Sequence, residues 1–192
     1  MSSPFGHSIA GYIVDAFEPK TLKVHSVKRL FLYVFMANIP DLDFIPGFLM
    51  GRPNLLHHGI SHSLGAAVLF SIVAAFLMDR KEGYHAKSFL ICLSLYCSHL
   101  FLDYLSVDGR PPYGTPIFWP LRTEYFIFPF LPPVMHSSLD HAAIGQFLND
   151  LFSIHNLYVV FMELEVFIPI LLILILLKLY RKKQYNLSSI AK

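Results

Sequence analysis

The sequence predicts an all-α, multi-pass membrane protein of about five helices under an outer cap rich in proline and aromatic residues. Three observations point there. Apolar residues make up 55% of the 192-residue chain and charged residues 15%, with a mean hydropathy of +0.53, whereas soluble proteins run at about 45–50% apolar and 25% charged. The run VFIPILLILILLKLY, closed by Arg181, Lys182 and Lys183, belongs to a segment that reaches the ~20 apolar residues of a spanning helix. Lys and Arg gather in alternate connections between apolar segments, as cytoplasmic loops do. At this length, residues 1–192 are expected to form a single membrane-embedded domain.

The first two helices, about 4–17 and 27–39, are apolar but short enough to be re-entrant. Residues 62–79 and 87–105 are expected to form a helical hairpin, joined by the polar turn DRKEGYHAK. From Pro111 to Pro133 the chain is interrupted by prolines and carries Tyr113, Phe118, Trp119, Tyr125, Phe126, Phe128 and Phe130. Prolines stop regular helix and aromatic rings favour the headgroup zone, so residues 106–156 read as a cap on the outer surface. Within it, Leu139, Ala143, Phe147 and Leu151 recur every four residues behind Ser138, which predicts a short amphipathic helix with a serine cap. Residues 157–180 form the fifth helix.

Positive charge orients these segments. Lys20, Lys23, Lys28 and Arg29 follow the first helix, Arg80, Lys81 and Lys87 lie between the third and fourth, and the Arg-Lys-Lys cluster follows the fifth. All three would face the cytoplasm of a cell (inner) membrane, which puts the N-terminus and the cap outside and the C-terminus inside. The net charge of +2 comes without a basic stripe interleaved with aromatics, so no nucleic-acid partner is expected and the bilayer is the partner. Cys92 and Cys97 fall in an apolar segment and read as free buried thiols. The N-terminal stretch lacks a basic start and a small-residue cleavage site, so it is expected to be retained.

On this topology the ionisable residues collect at the outer ends of the helices. They are His7, Asp41 and Asp43, then His57, His58 and His62, then His99 and Asp103, and lastly His155, Glu163 and Glu165. Charges at membrane depth are costly and face a cavity, a partner or an ion. His99 and Asp103, four residues apart, share one helix face. Asp41 and Asp43 lie between Pro40 and Pro46, where a helix cannot continue. Mixed His and Asp ligation suits zinc and also accommodates manganese or iron, as one ion or as two clamping a phosphoester. His136, His141 and His155 read as surface histidines, and Glu165 points away from Glu163.

Gly6-His7, Pro40-Asp41-Leu42-Asp43, HHGISHSL, SHLFLDYLSVDG and GTPIFWP, in that order, resemble the YdjM family of LexA-regulated, membrane-bound, metal-dependent hydrolases. The likeness runs from residue 6 to about residue 120. It implies a multi-pass protein that hydrolyses with a bound metal, and it implies His7, Asp41, Asp43, His57, His62, His99 and Asp103 as ligands. His58 stands where the family pattern has Arg, and Ser61 where it has Thr. A cation that titrates near neutrality thus replaces a permanent one, which marks His58 as a candidate substrate-binding residue. Helical periodicity would pair His58 with His62, while the resemblance pairs His57 with His62; a break at Gly59 would reconcile the second choice with helix geometry.

The expected function is therefore hydrolysis of a phosphoester or related ester of a lipid or envelope component by metal-activated water, with Asp108 or Glu163 as general base. The alternatives are a non-enzymatic metal-binding or ion-transporting membrane protein, and a purely structural one. The apolar stretches LFSIVAAFL and PILLILILL disfavour transport, which needs polar groups through the full depth.

Overall fold

The computed structural model describes residues 2–17, 26–78, 85–108, 112–128, 130 and 144–190. Among the described residues seven α-helices follow one another: α1 (Pro4–Phe17), α2 (Ser26–Ala37), α3 (Phe44–Leu49), α4 (Leu64–Met78), α5 (His85–Leu105), α6 (Ile144–Leu151) and α7 (Ile154–Ile190). Short 3-10 turns at Ile39–Asp43 and Ile60–His62 precede α3 and α4. Local chemistry sets the starts. Before α1, the Gly6 amide donates to Ser3 Oγ at 3.3 Å and Pro4 takes the first helical position, where a missing N–H costs nothing. Before α4, the Ala66 amide donates to Ser63 Oγ at 3.1 Å. Pro40 ends any continuation of α2, which hands the two aspartates to a 3-10 turn.

The five longer helices alternate in direction. Arg29 on α2 donates to Asp15 on α1 at 2.5 Å, while at the other end of that pair the Asn38 side chain donates to Ser8 at 3.4 Å. α1 and α7 run parallel, because Ser3 meets Glu163 at one end and Lys178 donates to the Ala16 carbonyl at the other. α5 occupies the middle and packs against α1, α2 and α4. Its Cys92 and Leu95 join Tyr33, Met36 and Ala37 of α2 and Ala74 of α4 in one apolar cluster. On α4 the buried positions are Ala67, Ser71, Ala74 and Ala75, a small-residue seam that lets two backbones approach closely. The other faces of α4 and α7 expose Leu69, Phe76, Leu77, Leu157, Phe161 and Leu176, which suits lipid rather than water.

Length separates the helices that can cross a bilayer. Two of the described helices are long and apolar enough, over Ala86–Leu105 and Ile154–Tyr180, so the expected five passes are corrected to two candidate spans. At ~1.5 Å per residue, the 14, 12 and 15 residues of α1, α2 and α4 reach only about 18–22 Å of the ~30 Å apolar thickness. The helix expected at about 62–79 runs over Leu64–Met78, and His62 lies on the preceding 3-10 turn.

The cap docks where the metal-binding candidates gather. The Leu64 and Gly65 amides, which open α4, donate to the carbonyls of Ile117 and Trp119 at 2.8 and 3.0 Å. They are thereby satisfied without an intrahelical partner. The Phe128 and Phe130 amides donate to Tyr104 and Leu105 at 2.7 and 2.8 Å, fastening the cap to the end of α5. Phe147 of α6 is buried against Phe44 and Phe48 of α3. Lys20, Lys23, residues 79–84 of the expected turn with Arg80 and Lys81, Pro111, Pro129, Pro132, Pro133, His136, Ser138, Leu139, His141 and Ala143 lie outside the described residues.

Gly11 sets the spacing of α1 and α2: a Cβ there would stand 2.9 Å from the Tyr33 carbonyl oxygen and 3.0 Å from Val34 Cα. Gly11→Leu is expected to destabilise the protein by about 1–3 kcal/mol through overpacking, read as a lower unfolding midpoint in detergent.

Candidate metal centre

Four side chains from three segments aim one atom each at a common point. Asp41 comes from the 3-10 turn after α2, His62 from the turn before α4, and His99 and Asp103 from the last turns of α5; their ligand atoms all lie within 4.8 Å of one another. His99 Nε2 is 3.1 Å from Asp103 Oδ2 and 3.5 Å from Asp41 Oδ1, and His62 Nε2 is 3.3 Å and 3.6 Å from the same two oxygens. The two Nε2 atoms stand 3.3 Å apart. A tetrahedral zinc with bonds of ~2.0–2.1 Å separates its ligand atoms by about 3.3 Å. Bonds near 2.2 Å in a six-coordinate manganese or iron site separate neighbouring ligands by about 3.1 Å, also within this set.

The remaining atoms of these side chains are committed in the way metal ligands require. His99 Nδ1 donates to the Ala37 carbonyl at 2.8 Å. His62 Nδ1 lies 3.2 Å from Asp43 Oδ2 and 3.1 Å from Ser61 Oγ, and that hydroxyl donates to Asp43 Oδ2 at 2.7 Å. With Nδ1 carrying the proton, each Nε2 presents its lone pair inward. Among the described residues the buried Asp41 Oδ1 and Asp103 Oδ2 have no hydrogen-bond partner and face only the His62 and His99 Nε2 atoms at 3.1–3.6 Å. Buried carboxylate oxygens without donors are costly; a divalent cation at the common point satisfies both, so the residues present fit a metal.

The electrostatics of the loop residues agree. Burial alone would lower the pKa of His62, yet the facing carboxylates of Asp103, Asp41 and Asp43 outweigh that and hold it well above the usual histidine value. Burial would raise Asp41 and Asp43, but the imidazoles around them, His99 and His62 for Asp41 and His57 and His62 for Asp43, keep both carboxyls well below the ordinary range. The carboxylates thus call for positive charge at this point, and a metal ion supplies it as a proton on His62 would.

The other residues implied by the sequence lie around this cage. His7 is fully buried and stacks on His99 at 3.6 Å, its Nε2 3.5 Å from Asp103 Oδ1 and both ring nitrogens without a hydrogen-bond partner. His57 is bonded through Nδ1 to Asp43 Oδ1 at 2.8 Å and stacks on Phe44 at 3.9 Å. His57, His58 and His62 form a second group whose ligand atoms lie within 4.8 Å. Because it shares His62, it extends the centre. Both pairings in HHGISHSL are therefore realised, through a 3-10 turn and a left-handed His58, φ 61°, rather than along a helix.

His58 Nδ1 is 2.9 Å from Asp108 Oδ2, and its buried Nε2 has no hydrogen-bond partner. Burial and the neighbouring His62 lower its pKa despite Asp108. The shift disfavours the cationic form that the sequence suggested for this position. Asp108 also accepts from the Gly114 amide at 3.1 Å. Glu163 faces Ser2 and Ser3. These serines were missed in the sequence, although the Ser-Pro start of α1 beside Gly6-His7 marks them as a helix cap.

An all-α membrane protein with a buried His/Asp centre at one end of its helices is the class that fold and site define. The family model described as YdjM inner membrane protein matches residues 1–185. The chain belongs to that family. Neither the comparison with curated proteins nor that with solved structures found a match.

Asp41→Ala, His62→Ala, His99→Ala and Asp103→Ala are each expected to lower bound metal by tenfold or more at limiting metal concentration. Cys92→Ser is expected to leave it unchanged, since that thiol packs against Met36 and Met78. Elemental analysis of the purified variants checks both.

Proposed function

We propose that the protein is a membrane-bound, metal-dependent hydrolase acting on a phosphoester or related ester of a lipid or envelope component. The observation that carries this reading is the cage of Asp41, His62, His99 and Asp103 with the uncommitted Nε2 of His58 beside it, the His58 and His62 rings 5.0 Å apart. A divalent ion held by those four residues, zinc, manganese or iron by the spacing, would supply Lewis acidity and, with a coordination position left open to water, would lower the pKa of that water toward neutrality.

The chain's own groups do the rest. Asp108 accepts from His58 Nδ1–H and fixes the ring, so Nε2 takes the proton of the attacking water and later returns it to the leaving oxygen. Asp108 thus serves through His58, and the left-handed backbone at His58 is strain of the kind held at functional sites. Asp43 orients His57, and with Ser61 it orients His62. The described part of the cap is fastened to the ends of α4 and α5 and covers the centre, which limits water there.

Orientation follows from charge. Lys28, Lys87 and Lys178 sit toward the end of the helices opposite the centre, which supports a reading with that end in the cytoplasm and the centre at the extracytoplasmic face. An ion-transport reading is disfavoured by the apolar cluster of Tyr33, Met36, Ala74, Cys92 and Leu95 that fills the bundle between the centre and the Asp15–Arg29 pair.

Phosphodiester and lipid-phosphoester hydrolysis by the metal-loaded protein in detergent tests the proposal. His58→Ala is expected to lower kcat by about 10²–10⁴-fold with metal retained, and Asp108→Asn to lower it in the same direction. Stoichiometric metal with no turnover on any ester would instead support a metal-binding protein without enzymatic activity.

A further inference from the structure

Glu163 is 0% exposed, on a predominantly apolar helix. A carboxylate in that position needs donors, and it finds three in the segment before α1. Oε1 accepts from Ser2 Oγ and from the Ser3 amide, both at 2.7 Å, and Oε2 accepts from Ser3 Oγ. Ser3 Oγ in turn accepts the Gly6 amide, so the carboxylate also sits at the positive end of α1. Gly6 is required by this clasp: a Cβ there would meet Ser2 Oγ at 2.5 Å and Glu163 Oε2 at 3.2 Å.

The clasp reaches the metal centre through one bond. The Ser2 amide donates to Asp103 Oδ1 at 2.9 Å. Asp103 can present either oxygen inward. With Oδ1 occupied by Ser2 and facing His7, Oδ2 is the atom 3.1 Å from His99 and 3.3 Å from His62.

We propose that Glu163 is a positioning residue for the metal centre: through Ser2 and Ser3 it holds the Ser2 amide on Asp103 Oδ1, which turns Oδ2 to the ligand point. This role rests on the metal-centre reading and replaces the general-base role for Glu163. It also ties α7 to a ligand on α5 that α7 does not touch directly through Glu163, by way of the segment that opens α1.

The test is Co(II) titration of the full chain in detergent, following both the dissociation constant and the visible d–d bands. Glu163→Leu keeps a side chain of similar size in this buried position, so a merely structural account predicts unchanged metal binding in the folded variant. Positioning predicts affinity weaker by about 10–100-fold and shifted bands, while Glu163→Gln, whose amide oxygen still accepts two of the donors, stays close to wild type. Ser2→Pro removes the donating amide and is expected to weaken binding as Glu163→Leu does; Ser2→Ala keeps the amide and is expected not to. A folded Glu163→Leu protein with wild-type affinity and spectrum overturns the role. If that variant does not fold, equal affinities for Ser2→Pro and Ser2→Ala overturn it. Wild-type protein that binds no Co(II) overturns the metal centre itself.

Discussion

Asp41 and Asp103 each bury an oxygen that no hydrogen bond among the described residues satisfies, at the point where two imidazole nitrogens also present themselves. In an apolar bundle such a cluster is stable only if positive charge sits among the carboxylates, because their repulsion and desolvation are otherwise uncompensated. A divalent cation meets that demand, and much of the surrounding structure reads as the means of holding the four atoms about one cation's width apart. α5 supplies two ligands at one-turn spacing, which costs no special backbone. The other two must come from chain that is not helical, since neither α2 nor α4 reaches the point with a regular turn.

That need accounts for the irregular segments. Pro40 stops α2 and places Asp41 and Asp43 on a tight turn; Gly59 and the left-handed His58 bring the chain round before Ser63 starts α4. The bonds that hold the ligands are short links from one element to the next. Ala37, the last residue of α2, orients His99; Asp43 and Ser61 orient His62; Tyr96 of α5 donates to the Ser61 carbonyl at 2.6 Å. The cap closes the same end by accepting the first amides of α4. Helix alternation then leaves the opposite end to Lys178 and the Asp15–Arg29 pair, so the chemistry is confined to one side of the bundle.

Much of this was legible in the sequence where periodicity or a proline spoke for it. α1, α4 and α5 fall close to the expected boundaries, and His99 with Asp103 shares a face as four-residue spacing requires. The gathering of His and Asp at one end was also readable, because it follows from helix direction alone. The number of spans was not, since apolar character signals burial and lipid contact alike, while length decides crossing. HHGISHSL was ambiguous for a related reason: both expected pairings assumed helix or a single break, whereas a 3-10 turn with a left-handed residue serves His57, His58 and His62 together. Arg29, read as a cytoplasmic loop charge, is buried against Asp15 on the neighbouring helix. Partners distant in sequence, such as Glu163 with Ser2 and Ser3, leave no local pattern to find.

X-ray absorption spectroscopy of the zinc-loaded protein tests the central claim most directly. The account predicts a first shell of nitrogen and oxygen at ~2.0–2.1 Å with multiple scattering from two imidazoles and no sulfur. A shell containing sulfur, or zinc held without imidazole, would contradict it.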